Sequence, residues 1–331
     1  MRTMYFRFLT FVFVFLFSVV AFTPLSNAIE YPVSMKVGCI ASPKSPWGKA
    51  AYKFADIVMK ETDGKVIIKV FPSSQLGKNI EMVKQLSQGS LEFLVTGEGF
   101  FTIIDKRVNI YGMPYLFTDS SQVIQARKSV AGKKLTHEVE KKAGVTFLAQ
   151  DGWMPMRNVI SKIPITKLED MKGLKIRVPS TKVMLMTFKS LGANPVEIGY
   201  SEVYVSLSQG LVQAMDGPLA SLYRSRAHEV CKYITLTEHS AGSLCVVTNT
   251  KIFNELKPEY QNIIKHAAEK ALEMSSELFK AEEKTIKKEL EDAGVQFYSP
   301  DLEPFREATR TLPEQLLGKE FVDYFKANMS K

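Results

Sequence analysis

KVIIKVF, residues 65–71, is the segment that decides the fold class. Its density of β-branched and aromatic residues predicts a buried strand. Four further elements are predicted around it: a strand over Ser34–Ile40, a helix over Pro46–Glu61, a helix over Asn79–Leu86 and a strand over Ser90–Thr96. Pro46 suits the first turn of a helix, and Asp63-Gly64 ends that helix. The β-α-β-α-β order predicts a parallel sheet flanked by helices.

A second α/β block follows further along the chain. Its predicted elements are strands over Val145–Gln150, Lys175–Val178, Pro195–Ile198 and Gly210–Met215, and helices over Ser180–Ser190 and Ser201–Ser208. The tetrapeptide LSQG occurs at Leu86–Gly89 and again at Leu207–Gly210, each time between a helix and a strand. Glycine permits the left-handed helix stop at such a point. The repetition indicates two similar lobes.

The last third of the chain is predicted to be helical. Pro258–Ala293 contains no glycine and no further proline, so one helix of ~50 Å fits the segment. A helix of this length could lie across two lobes and tie them together. A bent pair of surface helices is the alternative.

The first 28 residues have the layout of a secretory signal peptide. Arg2 and Arg7 give a positive start, Phe8–Phe22 is an uncharged apolar run, and Ser26-Asn27-Ala28 offers small residues for cleavage. The apolar run is shorter than the ~20 residues that a membrane span needs. We therefore predict export to the periplasm with cleavage near Ala28.

Length and charge narrow the class of protein. A chain of 331 residues has room for two domains. Its formal net charge is +8, which falls to +6 without Arg2 and Arg7. The basic residues are scattered and form no basic arm, so we predict no nucleic-acid partner. A positive field aids the capture of small anions, although solubility explains it equally well.

The three cysteines lie in apolar surroundings, at Cys39, Cys231 and Cys245. Buried thiols are the simplest prediction. Export also permits a disulfide between Cys231 and Cys245, which is the alternative.

Motifs for enzyme chemistry are missing from the sequence. None of the four histidines has metal-ligand spacing, and the G-x-S-x-G, Walker A and G-x-G-x-x-G patterns do not occur. We therefore predict no catalytic triad, no metal site and no cofactor.

Two arginines in apolar segments carry the functional signal. Arg157 lies in GWMPMRNVIS, and Arg177 in MKGLKIRVPS interrupts the strand-like run Leu174–Val178. A buried guanidinium needs an anion. The anion is either an internal Asp or Glu, or a ligand carboxylate or sulfonate held by the planar fork. Aromatic residues at predicted element ends are either ligand contacts or core: Trp47, Trp153, Phe100, Phe101, Tyr200 and Tyr223.

At these segments the chain resembles the DctP-type solute-binding proteins of tripartite ATP-independent periplasmic (TRAP) transporters. The most specific parts are MKGLKIRVPS at Met171–Ser180 and LGANPVEIGYSEVYVSLSQG at Leu191–Gly210. Further marks are FPSSQLG at Phe71–Gly77, KQLSQGSLEF at Lys84–Phe93 and MPYLF at Met113–Phe117. Order and spacing agree over almost the whole mature chain.

The resemblance implies an α/β, two-lobed, periplasmic-binding-protein-like fold, with a ligand cleft between the lobes and a long helix near the C-terminus. Each lobe would be discontinuous. We expect residues 29–154 plus 243–282 in lobe I, and residues 155–242 plus 283–331 in lobe II. Hinges are expected near Trp153–Pro155 and Ala241–Ser243.

The resemblance also implies a ligand site. Arg177 would form a salt bridge with the ligand's carboxylate, and Arg157 would face the ligand. Tyr200 would stack on the ligand, and Ser180 would assist. Ala220 stands where many members have an asparagine that contacts the acid, so that contact is lost or supplied elsewhere.

Other departures bear on the ligand. Ile40 and Gly97 replace an asparagine and a glutamate of the sialic-acid-binding relatives. With Trp47 and Trp153 as further ligand contacts, these changes suggest a smaller or less hydroxylated acid.

The sequence thus predicts a receptor that captures a small organic anion and delivers it to the small and large membrane subunits of a TRAP permease. A monocarboxylate, a C4-dicarboxylate, an aromatic acid and a small sulfonate such as isethionate all fit two arginines. We expect a monomer. Glu98 and Asp216 are further candidates in the cleft, where an exported hydrolase or lyase is the alternative. In that alternative the aromatic residues near Glu98 would raise its pKa, although a solvated loop carboxylate is its simplest interpretation. A receptor that feeds a sensor kinase would use the same site.

Overall fold

The computed structural model of the chain describes residues 32–329. The predicted signal peptide lies outside the described residues. No helix within the described range is both long enough and apolar enough to cross a membrane.

Five strands form the first sheet. They are β1 (Val33–Gly38), β2 (Val66–Phe71), β3 (Phe93–Gly97), β4 (Val145–Trp153) and β10 (Ser243–Asn249). Their order is β2-β1-β3-β10-β4. β1 runs parallel to β2 and β3, as predicted. β10 runs antiparallel to β3 and β4, so the whole sheet is mixed, and the prediction of parallel strands holds for β1, β2 and β3 only. The reason is that β10 enters from a distant part of the chain.

Helices cover this sheet. They are α1 (Pro46–Glu61), α2 (Asn79–Gln88), α3 (Ser120–Lys128) and α4 (Val130–Ala143), with 3-10 helices at Glu98–Ile103 and Lys106–Gly112. The bounds of α1 match the prediction because both ends carry clear signals. The side chain of Ser45 accepts a hydrogen bond from the amide of Gly48 at 3.0 Å, and Pro46 fills the first turn.

Six strands form the second sheet. They are β5 (Asn158–Ser161), β6 (Lys175–Val178), β7 (Asn194–Glu197), β8 (Ala214–Gly217), β9 (Tyr233–Thr235) and β11 (Gln296–Tyr298). Their order is β11-β9-β5-β8-β6-β7. β6 runs parallel to β7 and β8, whereas β5 is antiparallel to β8 and β9. The helices between these strands are α5 (Lys182–Ser190), α6 (Val203–Ser208), α7 (Leu219–Arg224) and α8 (Ala227–Val230), with 3-10 helices at Leu168–Met171 and Tyr200–Glu202.

The C-terminal part is helical, as predicted. Its helices are α9 (Thr250–Asn254), α10 (Pro258–Asp292), α11 (Glu303–Thr309), α12 (Leu312–Leu317) and α13 (Lys319–Asn328). α10 is one helix of 35 residues, so the bent pair of helices is ruled out. It packs on α1 and β4 of the first sheet's side and on α7 of the second sheet's side. The long helix therefore connects both sides.

The LSQG repeat has the predicted geometry. Gly89 has φ of 75° and Gly210 has φ of 76°, the left-handed region that favours glycine. After Gly210 the strand begins only at Ala214, four residues later than predicted.

Cys39, Cys231 and Cys245 are free and buried. The prediction of buried thiols is confirmed, and the alternative bridge between Cys231 and Cys245 is wrong. Burial raises the pKa of Cys39 and of Cys231 to about 12, so these thiols stay protonated and unreactive at neutral pH.

Candidate functional site

A cavity of about 530 Å³ lies between the two sheets. Its wall includes residues at or just after the carboxyl ends of five strands: Ile40 after β1, Gly97 in β3, Pro179 after β6, Ile198 after β7 and Pro218 after β8. Open α/β folds bind ligands at this edge of their sheets. The volume lies in the range of small-molecule sites.

Arg177 reaches the cavity from β6. Its side chain is only 4% exposed, and its Nε donates a hydrogen bond to the carbonyl oxygen of Ile198 at 2.8 Å. Its two terminal nitrogens have no hydrogen-bond or ion-pair partner within residues 32–329. Burial lowers the pKa of Arg177 to about 10, although the carboxylate of Asp216 opposes this shift. Arg177 therefore remains a cation at neutral pH, and its forked end is free to hold an anion.

Arg157 also lines the cavity, but it already has an internal partner. Its Nε donates to Oδ2 of Asp216 at 2.6 Å, and one terminal nitrogen lies 2.5 Å from the same oxygen. Burial alone would raise the pKa of Asp216, but the charges of Arg157 and Arg177, together with the neighbouring imidazole N–H of His239, outweigh it and lower the pKa to about 2. The sequence analysis left two possible partners for each arginine, an internal carboxylate or a ligand anion. Arg157 has the internal carboxylate, which is that of Asp216.

A buried histidine stands behind this pair. Nε2 of His239 lies 3.5 Å from Oδ2 of Asp216, and its Nδ1 shares a hydrogen bond with the hydroxyl of Thr237 at 2.8 Å. Burial lowers the pKa of His239, although Asp216 opposes this shift, so the imidazole is neutral at pH 7. The backbone links the same residues, because the amide of His239 donates to the carbonyl oxygen of Arg157 at 3.2 Å.

Tyr200 and Ser180 both lie on the cavity wall. The phenol of Tyr200 donates to the carbonyl oxygen of Ser221 at 3.0 Å, which holds the ring in place. Burial raises the pKa of Tyr200 to about 12, so the phenol is neutral. Their predicted roles, stacking for Tyr200 and assistance for Ser180, stay predictions.

Trp47, which belongs to α1, also lines the cavity. Its indole N–H donates to the carbonyl oxygen of Val95 at 3.0 Å, so its only polar group is already satisfied. What Trp47 offers a ligand is therefore apolar ring surface.

Glu98 reaches the cavity as well, but it is not a solvated loop carboxylate. It begins a 3-10 helix, is buried, and pairs with Arg127 at 2.7 Å, while the hydroxyl of Ser243 donates to it at 2.5 Å. Burial raises the pKa of Glu98 despite the charge of Arg127. Arg127 could not be predicted as its partner, because the two residues lie on separate elements that meet only in the folded chain.

The structure places Trp153 and Ala220 elsewhere. Trp153 lines a separate surface groove beside α10, and its indole N–H donates to Oδ2 of Asp119 at 3.4 Å. Its backbone amide donates to the hydroxyl of Ser276 on α10 at 2.9 Å, which holds Trp153 beside that helix. Ala220 is 2% exposed inside the core of the second sheet's side, because the short helix α7 presents Ser221 to the cavity instead.

Arg224, Lys78 and Asn79 are among the cavity residues that were not predicted. Arg224 lines the wall and forms two bonds with Glu282 of α10, at 2.8 and 2.5 Å. Lys78 and Asn79 begin α2, and the side-chain oxygen of Asn79 accepts from Thr96 at 2.9 Å. Each follows the carboxyl end of a strand by seven or eight residues, and that position in the sequence was the available signal.

The fold and cavity are those of a two-lobed α/β solute-binding protein. The chain matches the family of bacterial extracellular solute-binding proteins, family 7 (DctP), over residues 37–319. It belongs to this family, and the resemblance to the DctP-type proteins of TRAP transporters is confirmed.

Relatives support the same assignment. An uncharacterized protein of Haemophilus influenzae is 31% identical over 308 residues, which are 92% of each chain. The 2,3-diketo-L-gulonate-binding periplasmic protein of Escherichia coli is 29% identical over 284 residues, or 85% of each chain. The crystal structure of a TRAP periplasmic solute-binding protein from Roseobacter denitrificans with bound L-galactonate has a TM-score of 0.84 at 26% identity, covering 90% of this chain and 98% of that chain.

Proposed function

We propose that this chain is the extracytoplasmic subunit of a TRAP transporter that captures a small organic acid in the cavity at Arg177. The observation that carries the proposal is the state of Arg177, which is buried and charged at the wall of a cavity and has no anionic partner among residues 32–329. An unpaired buried charge is costly, so a ligand anion that pairs with it gains strongly. The periplasm is the compartment that this role and the predicted signal peptide require.

Binding would work as a clamp. The acid group meets the terminal nitrogens of Arg177, with Arg157 beside it, and the lobes close around the ligand. Closure excludes water and lowers the local dielectric constant, which strengthens the ion pair. The small and large permease subunits would then distinguish the closed from the open receptor.

The moving bodies would be the predicted lobes, residues 29–154 plus 243–282 and residues 155–242 plus 283–331. The two segments between the sheets, residues 154–157 and 236–242, overlap the predicted hinges at Trp153–Pro155 and Ala241–Ser243. The C-terminal helices α12 and α13, assigned to lobe II, contact α5 of lobe II but also α4 and the 3-10 helix Lys106–Gly112 of lobe I. The C-terminal boundary of lobe II is therefore the one to test. Small-angle scattering with and without ligand would show whether the radius of gyration falls on binding.

Both the site and the relatives indicate which class of ligand to expect. Carboxylates, C4-dicarboxylates and small sulfonates such as isethionate carry the acid group that Arg177 can hold. The relatives named above bind 2,3-diketo-L-gulonate and L-galactonate, which are carboxylic acids too.

The role needs no catalysis. The two carboxylates that an exported hydrolase or lyase would use, Glu98 and Asp216, are both ion-paired with arginines. Incubation of each binding compound with the purified protein, followed by chromatography, should recover the compound unchanged. A new product would contradict the receptor role.

A thermal-shift screen of the mature chain tests the proposal. The compounds are monocarboxylates, C4-dicarboxylates, aromatic acids, sugar acids and small sulfonates. At least one acid should raise the thermal midpoint. The same acid should fail with Arg177→Ala and succeed with Arg310→Ala, which removes an exposed arginine on the surface. Binding that survives the loss of Arg177 would overturn the proposed site.

A further inference from the structure

We propose that the ligand of this cavity is an organic monoanion with a mainly apolar body. This inference rests on the proposed function and names its ligand class. It comes from the charges on the cavity wall, taken pair by pair, and from the side chains that face them.

Five charged residues of the wall are already paired: Lys78, Glu98, Arg157, Asp216 and Arg224. Arg157 pairs with Asp216, and Glu98 with Arg127. Arg224 pairs with Glu282 on two bonds, and Lys78 lies 2.8 Å from Glu202. Each pair is electrically neutral, so none leaves a charge for a ligand.

Arg177 is the buried charge at the wall that has no ion pair in the described part of the chain. His239 adds no second positive charge, because its imidazole is buried and neutral. Lys84, Glu81 and Glu197 line the cavity too, but they are exposed to solvent and screened. The buried part of the site therefore carries one net positive charge.

One net charge discriminates between ligands. A monoanion brings the site to neutrality. A dianion would bury a second carboxylate that finds no free cation, or it would have to break an existing pair. Either cost is absent for the monoanion, so matched monocarboxylates should bind at least tenfold more tightly than dicarboxylates.

A large part of the cavity wall is apolar. The residues that provide it are Ile40, Trp47, Phe100, Met154, Met184 and Phe279. The indole N–H of Trp47 already donates to the carbonyl oxygen of Val95. The hydroxyl groups of Ser240 and Ser243 already donate to the carbonyl oxygen of Gly112 and to the carboxylate of Glu98. A polyhydroxylated body would lose hydrogen bonds to water there, whereas an apolar body gains from burial.

The test compares matched trios of acids by calorimetry. Each trio has one carbon number: a monocarboxylate, its dicarboxylate and its hydroxylated acid, for example hexanoate, adipate and D-gluconate. The series runs from three to eight carbons. We expect the tightest-binding trio to favour its monocarboxylate at least tenfold over both other members.

A variant changes the charge count directly. Glu282→Gln leaves Arg224 without its partner at the wall, so the affinity for adipate relative to hexanoate should rise at least fivefold. The control is Glu291→Gln on the same helix, which removes an exposed pair with Lys287 and should leave the ratio unchanged.

The outcomes separate the two proposals. Tightest binding of a dicarboxylate or a hydroxylated acid, lost in Arg177→Ala, overturns the inference and leaves the proposed function standing. An unchanged adipate-to-hexanoate ratio in Glu282→Gln overturns the charge count alone. Failure of every acid to bind the wild-type chain overturns the proposed function as well.

Discussion

Nζ of Lys78 lies 2.8 Å from Oε1 of Glu202, and this ion pair joins the two sides of the cavity. Lys78 caps α2 beside the first sheet, and Glu202 belongs to the 3-10 helix that follows β7 of the second sheet. Gly199 makes room for the lysine, because a Cβ there would lie 3.0 Å from its Cε. Both partners are half exposed, so the pair lies where the two sides meet solvent.

This bond should slow ligand release. We expect Lys78→Gln and Glu202→Gln to raise the dissociation rate of the ligand a few-fold, because each removes a contact between the two sides. The thermal midpoint should hardly change, since exposed pairs add little to folding. Stopped-flow measurements check the rate. Lys288→Gln, which breaks an exposed pair with Asp292 on α10, is the matched control. Rates equal to wild type in both test variants would contradict the role.

Loss of the Arg177 guanidinium should weaken binding by about 2 to 5 kcal/mol, because one partner of a desolvated pair disappears. Arg177→Lys should also bind poorly. In Arg177 the Nε donates to the carbonyl oxygen of Ile198 while the two terminal nitrogens form a planar fork, and a lysine ammonium cannot do both. Calorimetry with the screened acid measures both variants. An unchanged dissociation constant in Arg177→Ala would contradict the proposed site. Near-normal affinity in Arg177→Lys would show that the positive charge of Arg177 matters and its planar fork does not.

Asp216 should make the protein sensitive to acid. Its pKa in the folded chain, about 2, lies below its ordinary value of 3.8, so its contribution is complete above pH ~4 and is lost as pH falls towards 2. That contribution is roughly 2 to 3 kcal/mol. Asp216→Asn should lower the thermal midpoint at pH 7 and flatten its decline between pH 4 and pH 2. A parallel decline in wild type and variant, measured by circular dichroism, would show that another group is responsible.

His239 should act at milder pH. Because burial lowers its pKa below 6.5, the unfolded chain takes up a proton first as the pH falls. The stability that neutral His239 contributes is therefore present above pH 6.5 and is lost as the pH drops below it. The gap in thermal midpoint between wild type and His239→Gln should narrow from pH 7 to pH 5. The exposed His266→Gln is the control, and a constant gap for His239→Gln would refute the assignment.

Loss of one partner of the buried ion pair between Glu98 and Arg127 should destabilise the fold more than loss of both partners. Arg127→Met leaves Glu98 buried without its counter-ion and should destabilise the chain by ~3 to 5 kcal/mol. The double variant Glu98→Gln with Arg127→Met should be clearly more stable than Arg127→Met alone, because no isolated charge remains. Urea unfolding measures both. A double variant as unstable as the sum of the single variants would contradict the coupling.

Local elements could be predicted from the sequence because their signals are local. Pro46–Glu61 carries a cap, a first-turn proline and a glycine stop, and the structure reproduces its bounds. Gly89 and Gly210 end their helices in the left-handed region for the same reason. The antiparallel β10 was missed, because strand direction in a sheet depends on where a distant segment enters.

The candidate site was predictable in its chemistry but not in its pairing. A charged residue inside an apolar strand identified Arg177 without any knowledge of its neighbours. Nothing in the sequence assigns Asp216 to Arg157 or Arg127 to Glu98, because 59 residues separate the first pair and the partners meet only in three dimensions. Trp153 was misplaced for a related reason, since the end of a strand does not reveal which face a side chain takes.

The three buried thiols make the chain a convenient subject for spectroscopy. Cys39, Cys231 and Cys245 are enclosed, and burial raises the pKa of each, so maleimide reagents would find little native background in the described chain. A pair of cysteines engineered at exposed sites, one near each sheet, would therefore carry fluorophores or spin labels without prior removal of native residues. Such a reporter would follow each capture event as it happens.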